Sequence, residues 1–458
     1  MLVAFVIFYL ALNLAVGWWA SKKVQTTKDF VLAGRSLPFA LATMVTFACW
    51  FGSETVIASP REFVHGGVLA IIEEPFGAAL GLFLVGGIYA RKLYSLPVLT
   101  FSDYFRLRFG AFSEKLSAVI MIPSYFGWIS AQLVALGLTM HLLLPVSIEV
   151  GIIIGALLVM AYTLLGGMWS ISVTDFFHNI ILIAGLLFLA YLMWAKVPDF
   201  NKLISSQPKH FFRAIPVENT WKDWLVYGAA WITIGLGSIP QQDIFQRVMS
   251  AKNERVAAKS SIAAGTMYLT IAMLPLFIAF IGVRLYPSLL AEDDLLIPTL
   301  VMKFTPRAMQ VLFLGALLSA LLSTTSGAIL APASVLGENI LKPMMRKPSD
   351  KIVLLFIRIS VVLVTLACII MAIERQNIFE LVGEASAFSL VSLFIPLNAG
   401  LWYKKSTPMG SHLSMVMGLF CWGYFHFISP SEIPAVWYGL LAGLIGLLVG
   451  NQIKAKSV

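Results

Sequence analysis

Four hydroxyl side chains, Ser323, Thr324, Thr325 and Ser326, stand in a row inside an apolar stretch that reads Gly315-Ala-Leu-Leu-Ser-Ala-Leu-Leu-Ser-Thr-Thr-Ser-Gly327. Serine and threonine oxygens often bond back to their own helix. Two adjacent ones can instead serve a hard cation such as sodium, which takes neutral or anionic oxygens as ligands. Carbonyls freed where a neighbouring helix unwinds would supply the rest. The second group of candidates is ionisable: Glu54, Glu73, Glu74, Asp175, Asp243, Arg358, Glu380 and Glu384 all fall in apolar stretches. Charged groups at membrane depth are costly and mark functional sites. Glu73, Glu380 and Arg358 are expected nearer an interface, where water solvates them. Enzyme chemistry has no matching pattern: there is no HExxH, no GxSxG and no metal-spaced histidine pair. Cys49, Cys368 and Cys421 form no CxxC and read as small buried hydrophobes.

The elements that must position these groups are membrane helices. Of 458 residues, 59% are hydrophobic and only 12% charged, against about 25% charged in soluble domains. Lipid must therefore solvate most of the surface. Apolar segments of about 20 residues follow one another nearly end to end, which argues for one helical bundle rather than several soluble domains. Hydropathy places spans near 2–20, 37–59, 68–90, 116–143, 145–165, 170–195, 224–241, 260–283, 309–336, 352–373, 378–400, 410–428 and 435–453. About thirteen transmembrane helices put the termini on opposite sides. Alternate loops carry about twice as many Lys and Arg as the others, which sets the N-terminus outside and the C-terminus in the cytoplasm. The net charge of +9 is then a basic cytoplasmic face, not a nucleic-acid surface. Lys22 and Lys23 follow the first apolar segment instead of preceding it, so it reads as a retained helix and not a signal peptide.

Two spans are interrupted. The second contains Ala48-Cys49-Trp50-Phe51-Gly52-Ser53-Glu54, and the seventh contains Gly235-Leu-Gly-Ser238-Ile-Pro240-Gln241-Gln242-Asp243. Proline removes a helix hydrogen bond and glycine tolerates unwound backbone. Such backbone survives at membrane depth only where it lines a cavity or is buried in protein. Interruptions five helices apart point to an inverted repeat with a binding site between them. In the last span, Gly439-x-x-x-Gly443 and Gly446-x-x-x-Gly450 read as a close helix-packing face.

The chain resembles the sodium:solute symporters, a family that includes sodium-coupled transporters of proline, pantothenate, glucose and choline. The resemblance runs from Ala33-Gly34-Arg35-Ser36-Leu37-Pro38 through Tyr162-Thr-Leu-Leu-Gly-Gly167 and Thr174-Asp175. It continues through Ile239-Pro240-Gln241-Gln242-Asp243-Ile-Phe-Gln-Arg247 to the serine-rich ninth span and Glu338-Asn339. It implies an all-α integral membrane protein of the leucine-transporter type, with two inverted five-helix repeats. Residues 1–36 would hold an extra N-terminal helix and the first cytoplasmic loop, 37–195 the first repeat, and 196–223 an extracellular loop. Residues 224–400 would form the second repeat and 401–458 two C-terminal helices.

By the same resemblance, the sodium ligands are the carbonyls of Ala48, Phe51 and Ala320 and the hydroxyls of Ser323 and Thr324. Some relatives hold a second sodium with two more hydroxyls and an aspartate like Asp175. Ser326 matches one of those hydroxyls, but Gly327 replaces the other, which counts against a second ion and leaves Asp175 and Ser326 to a sodium path. The substrate-facing positions are Trp50, Glu54, Glu74, Trp128, Gln132, Trp231 and Gln241. The choline branch cages quaternary ammonium in tryptophan faces. Trp50 and Trp128 match two of its positions and Gln241 replaces the third, which favours an amino acid or carboxylate while keeping a choline-like cation in view. The implied activity is sodium-driven import of a small organic solute by alternating access, in a bacterial inner membrane, with no enzymatic step. Two other readings stay open: a transporter-like sensor, although the chain ends at Val458 with no kinase, and a proton-coupled carrier using Glu54 or Asp175.

Overall fold

Backbone amides and carbonyls in hydrocarbon have no water to bond, so a spanning chain must satisfy them within helices. The computed structural model describes residues 21–453 together with Ala11, Ala15, Val16, Trp18 and Trp19, the side chains of 291–294 excepted. It is all-helical, and the one β-bridge among the described residues joins Leu37 to Ala251. We label the main helices α1 Phe39–Trp50, α2 Glu54–Gly66, α3 Val68–Tyr94, α4 Ala111–Leu143 and α5 Ile148–Trp194. Then follow α6 Trp221–Gly237, α7 Gln242–Ser250, α8 Glu254–Leu285, α9 Arg307–Met344, α10 Asp350–Glu374, α11 Ile378–Trp402, α12 Pro408–Gly423 and α13 Ala435–Gln452.

Among the described residues, 8 of these are long and apolar enough to cross a bilayer, or up to 9 if α1 and α2, bent by 59° at their junction, count as one span. The expected count of thirteen is not reached by length and composition, and three features account for much of the difference. The expected first span, 2–20, lies almost wholly outside the described residues. The seventh is split into α6 and the short α7. The fifth and sixth are merged in α5, whose 47 residues would run about 70 Å if straight, over twice the hydrocarbon thickness.

The α5 segment instead breaks at Gly167, where φ is 50° and ψ is −142°. Its two arms fold back on each other. The Tyr162 hydroxyl donates to the Ser170 carbonyl at 3.2 Å and also meets the Thr174 hydroxyl, about 18 Å away along a continuous helix. A Cβ at Gly167 would lie 2.4 Å from the Phe30 carbonyl oxygen, so both dihedrals and space require glycine here.

Connections gather at two ends. At one, the Leu37 amide donates to the Ser250 carbonyl and the Lys252 amide to the Leu37 carbonyl, both at 2.9 Å. Tyr94 donates to the Ala251 carbonyl at 3.0 Å, the Thr27 amide to Asp350 at 2.9 Å, and Arg108 to the Gly400 carbonyl at 3.1 Å. We call this the basic end, after Lys28, Arg35, Arg91, Lys92, Lys252 and Lys342. At the other, the Val68 amide donates to the Phe211 carbonyl at 2.9 Å, and Arg375 pairs with Glu384 at 2.6 Å.

Helix α9 is the axle of the bundle: 94% of its apolar window is buried, against 33% for α13 at the periphery. Leu157, Phe188, Leu363, Ile370, Leu441 and Leu448 stay exposed, as lipid-facing side chains do. The α13 glycines serve packing, as expected. A Cβ at Gly446 would lie 2.6 Å from the Leu413 carbonyl oxygen, and one at Gly450 would lie 2.5 Å from the Gly410 Cα, both on α12.

Replacing Gly167 with alanine should destabilise the detergent-solubilised protein by about 2 kcal/mol or more, through a dihedral region reserved for glycine and the clash with Phe30. A melting curve monitored by fluorescence checks this, and a lower midpoint is the expected result.

Candidate functional site

The junction of α1 and α2 frees a backbone carbonyl. In an unbroken helix the Ala48 oxygen would accept from the amide of Gly52. That amide bonds to the Trp50 carbonyl instead, at 2.8 Å, because Phe51 leaves the helix at φ −77°, ψ 71°. The Ala48 oxygen is taken up by Thr324, whose hydroxyl donates to it at 3.0 Å. A Cβ at Gly52 would lie 2.7 Å from the Gln132 amide oxygen and 3.1 Å from the Thr324 methyl, so the missing side chain lets α9 approach the break.

On α9, Ala320, Ser323 and Thr324 are spaced i, i+3, i+4 and share one face. The Ser323 hydroxyl donates to Asp175, and Thr163 donates to Ser326 at 2.8 Å. Ala48, Asp175, Ala320, Ser323, Thr324 and Ser326 are all buried. The structure thus sets four expected sodium positions, Ala48, Ala320, Ser323 and Thr324, on facing surfaces, with Asp175 and Ser326 alongside. Phe51 stands at the break itself, and its ring stacks on Phe47 at 4.7 Å. Among the described residues no group of three or more His, Cys, Asp or Glu is placed to hold a metal ion. The donors are neutral carbonyls and hydroxyls beside one carboxylate, a hard oxygen set that fits an alkali cation better than a transition metal.

The second interruption lies at Ser238–Gln241. Helix α6 ends at Gly237, Gln241 is extended at φ −94° and ψ 145°, and α7 begins at Gln242. Ser389 donates to the carbonyl of Gly237. Between the two breaks is a cavity lined by Trp50, Glu54, Glu74, Trp128 and Gln241, five of the seven expected substrate positions, together with Ile234, Ser238, Val382, Ala385 and Ser386. The space between the lining atoms is about 320 Å³ in all.

Gln132 lies behind this wall: its amide donates to Glu54 at 2.7 Å and its oxygen accepts from the Ser53 amide at 3.1 Å. Trp231 is not in the wall. It packs near Phe76 and Tyr227, with ring centres 6.3 Å away in each case. It sits on the α6 turn before the pocket-lining Ile234, so sequence position alone did not separate the two.

Two buried carboxylates face the cavity. Glu54 accepts from Gln132 at 2.7 Å, Ser53 at 3.1 Å and the Trp128 indole N–H at 3.2 Å. Glu74 accepts from Thr55 at 2.7 Å and Tyr268 at 2.5 Å. The Tyr268 hydroxyl also lies 2.8 Å from the Trp50 carbonyl, so it sits between α1 and Glu74. Neither Thr55 nor Tyr268 was singled out from the sequence. Tyr268 is one tyrosine in an apolar span, and nothing local marks it. Asp243 was noted only as an ionisable group in the seventh span. It proves fully buried, and Tyr125, Cys49 and Trp50 donate to it at 2.6, 3.0 and 3.2 Å.

Comparison with known proteins places this arrangement in a class. The model of the sodium:solute symporter family matches residues 30–418. High-affinity choline transporter 1 of Caenorhabditis elegans is 26% identical over 450 residues, covering 90% of this chain and 76% of that protein. The sodium/pantothenate symporter of Haemophilus influenzae is 25% identical, covering 94% and 91%, and the osmoregulated proline transporter of Bacillus subtilis is 26% identical, covering 90% and 86%. A Na+-coupled sialic acid symporter in its substrate-bound outward-open state superposes with a TM-score of 0.86 at 17% identity, over 99% of this chain and 98% of that one. A transporter of the nucleobase-cation-symport-1 family superposes at 0.56 and 16% identity, over 90% and 92%. The fold is that of the leucine-transporter-type secondary carriers. The chain belongs to the sodium:solute symporter family and is a membrane transport protein, not an enzyme.

Tyr268→Phe should cost about 1–3 kcal/mol, because it removes a donor from a buried carboxylate. The check is the thermal midpoint in detergent, and Thr55→Val is expected to lower it less.

Proposed function

We propose that the protein imports a small, ammonium-bearing organic solute together with sodium. The observation that carries the solute class is the pocket wall: Glu54 and Glu74 face the cavity beside the indoles of Trp50 and Trp128, and no Lys, Arg or His lines it. A cation there gains two carboxylates and two aromatic faces. A solute with only a carboxylate would meet two carboxyl groups and no basic partner in a site of low dielectric, where like charges repel strongly. A choline-like cation or an amino acid, which brings its own ammonium, answers this wall. Gln241, Ser238 and Ser386 offer hydrogen bonds to the remainder. The relatives that carry choline and proline support the same range.

Sodium would be held by the carbonyls of Ala48, Phe51 and Ala320 and the hydroxyls of Ser323 and Thr324. The ion would draw the α1–α2 break onto α9 and so complete the wall that carries Trp50 and Glu54. Each ligand then tightens the other by the same factor. With the basic end in the cytoplasm, an inward potential adds about 2.3 kcal/mol per charge per 100 mV. The units that rock about the site would be residues 37–195 and 224–400.

Purified protein in liposomes tests both parts. An imposed sodium gradient should drive accumulation of labelled choline or proline. Replacing Ser323 and Thr324 with alanine should raise the half-saturating sodium concentration at least about tenfold, since two ion ligands are lost. Sodium dependence unchanged in the double variant would contradict the ion site. Uptake driven by a pH gradient without sodium would favour a proton-coupled carrier. Accumulation of pantothenate, a carboxylate without an ammonium, with neither choline nor proline transported, would contradict the solute class.

A further inference from the structure

Asp243 has no role in the scheme above, yet it is wholly buried where α1, α4 and α7 meet. It stands in the first turn of α7, two residues past the pocket-lining Gln241. Three donors converge on it: Tyr125 of α4 at 2.6 Å, and Cys49 and the Trp50 indole of α1 at 3.0 and 3.2 Å. Tyr125 also accepts from the Asp243 amide, at 2.9 Å. One face of Trp50 thus lines the solute cavity while its N–H is held from the opposite broken helix.

The next turn carries the link onward. Arg247, also wholly buried, donates to the Asp243 carbonyl at 3.2 Å. Its other amino nitrogen lies 2.3 Å from where a Cβ on Gly327 would stand, one turn beyond Ser323 on α9. Towards the basic end, further bonds seal α7 to its neighbours. Gln242 accepts from the Phe101 amide at 2.6 Å and Gln246 donates to Ser334 of α9 at 3.2 Å. The Leu37–Ser250 and Lys252–Leu37 backbone bonds follow, at 2.9 Å each.

We propose that Asp243 is the clasp of the inner gate. It holds the basic-end halves of the two broken helices together, so that the pocket stays shut towards the cytoplasm until the clasp parts. Its position explains why a carboxylate is needed. A buried anion with three donors from two elements binds them more strongly than a neutral acceptor would. It also joins the solute wall, through Trp50, to the sodium helix, through Arg247 and Gly327. Asp243 is a positioning residue and touches neither ligand in this arrangement. The proposal rests on the alternating-access reading for its direction, but not on which solute is carried.

The reporter is a cysteine at Ser334, which is buried behind Gln246 and becomes reachable only when α7 leaves α9. Ser334→Cys protein is treated with N-ethylmaleimide in detergent, and labelling is read residue by residue by mass spectrometry. The native Cys368, buried in α10, serves as the control for general loosening. Adding Asp243→Asn should speed labelling at position 334 about tenfold, the worth of one hydrogen bond to a charged acceptor, and leave Cys368 unchanged. Tyr125→Phe, which removes one donor and keeps the carboxylate, should give a smaller rise at the same site, and it carries the test if Asp243→Asn does not fold. Sodium should slow labelling of the parent and lose most of that effect in Asp243→Asn. Labelling at 334 unchanged in both variants would overturn the clasp, and so would a matching rise at Cys368. A parent whose labelling ignores sodium would instead contradict the sodium site and leave the comparison between variants to judge the clasp.

Discussion

The bond from Thr324 to the Ala48 carbonyl joins a helix that cannot continue to a helix buried in the middle of the bundle. Phe51 and Gly52 divert the chain, so the Ala48 oxygen has lost its own amide. In hydrocarbon an orphaned carbonyl costs several kcal/mol, and α9 supplies the missing donor from the most interior helix of the bundle. A neutral hydroxyl is a modest answer to that need. A sodium ion bonded to the same oxygens would be a stronger one, and it would be available only while the two helices lie together.

The pocket is built from the same discontinuity. Trp50 and Glu54 flank the break, and the Tyr268 hydroxyl donates to Glu74 beside the Trp50 carbonyl. Both buried carboxyl groups are hydrogen-bonded, Glu54 by Gln132, Ser53 and Trp128 and Glu74 by Thr55 and Tyr268. The second break follows the same logic from the opposite repeat: Gln241 turns into the cavity and Asp243 gathers the first broken helix beneath it.

Much of this was legible because membrane depth makes anomalies stand out. Glycine, proline and adjacent polar groups inside an apolar run have few explanations, so the breaks at 48–54 and 235–243 could be read directly. Ser323 and Thr324 were conspicuous for the same reason. The pairing of α9 with the α1–α2 break came from family resemblance, not from spacing, since 276 residues separate Thr324 from Ala48. Long-range partners such as Tyr268 and Thr55 are invisible in the sequence, because a hydroxyl aimed at a distant carboxylate has the same local sequence as one bonded to its own helix. Trp231 shows the converse. It shares α6 with a pocket residue but faces Phe76, and helix phase near a break cannot be extrapolated from hydropathy. Gly167 lay in a quoted motif, yet its role as the fold-back of α5 needed its dihedral angles.

Hydrogen–deuterium exchange, followed by mass spectrometry in sodium and in potassium at equal ionic strength, probes the union of break and hydroxyl helix. Sodium should slow exchange of the amides around 48–56 and of the α9 segment around 320–327, and potassium should not. Equal exchange in the two salts across both segments would show that the break does not bind sodium, and the proposed coupling would then have no physical basis.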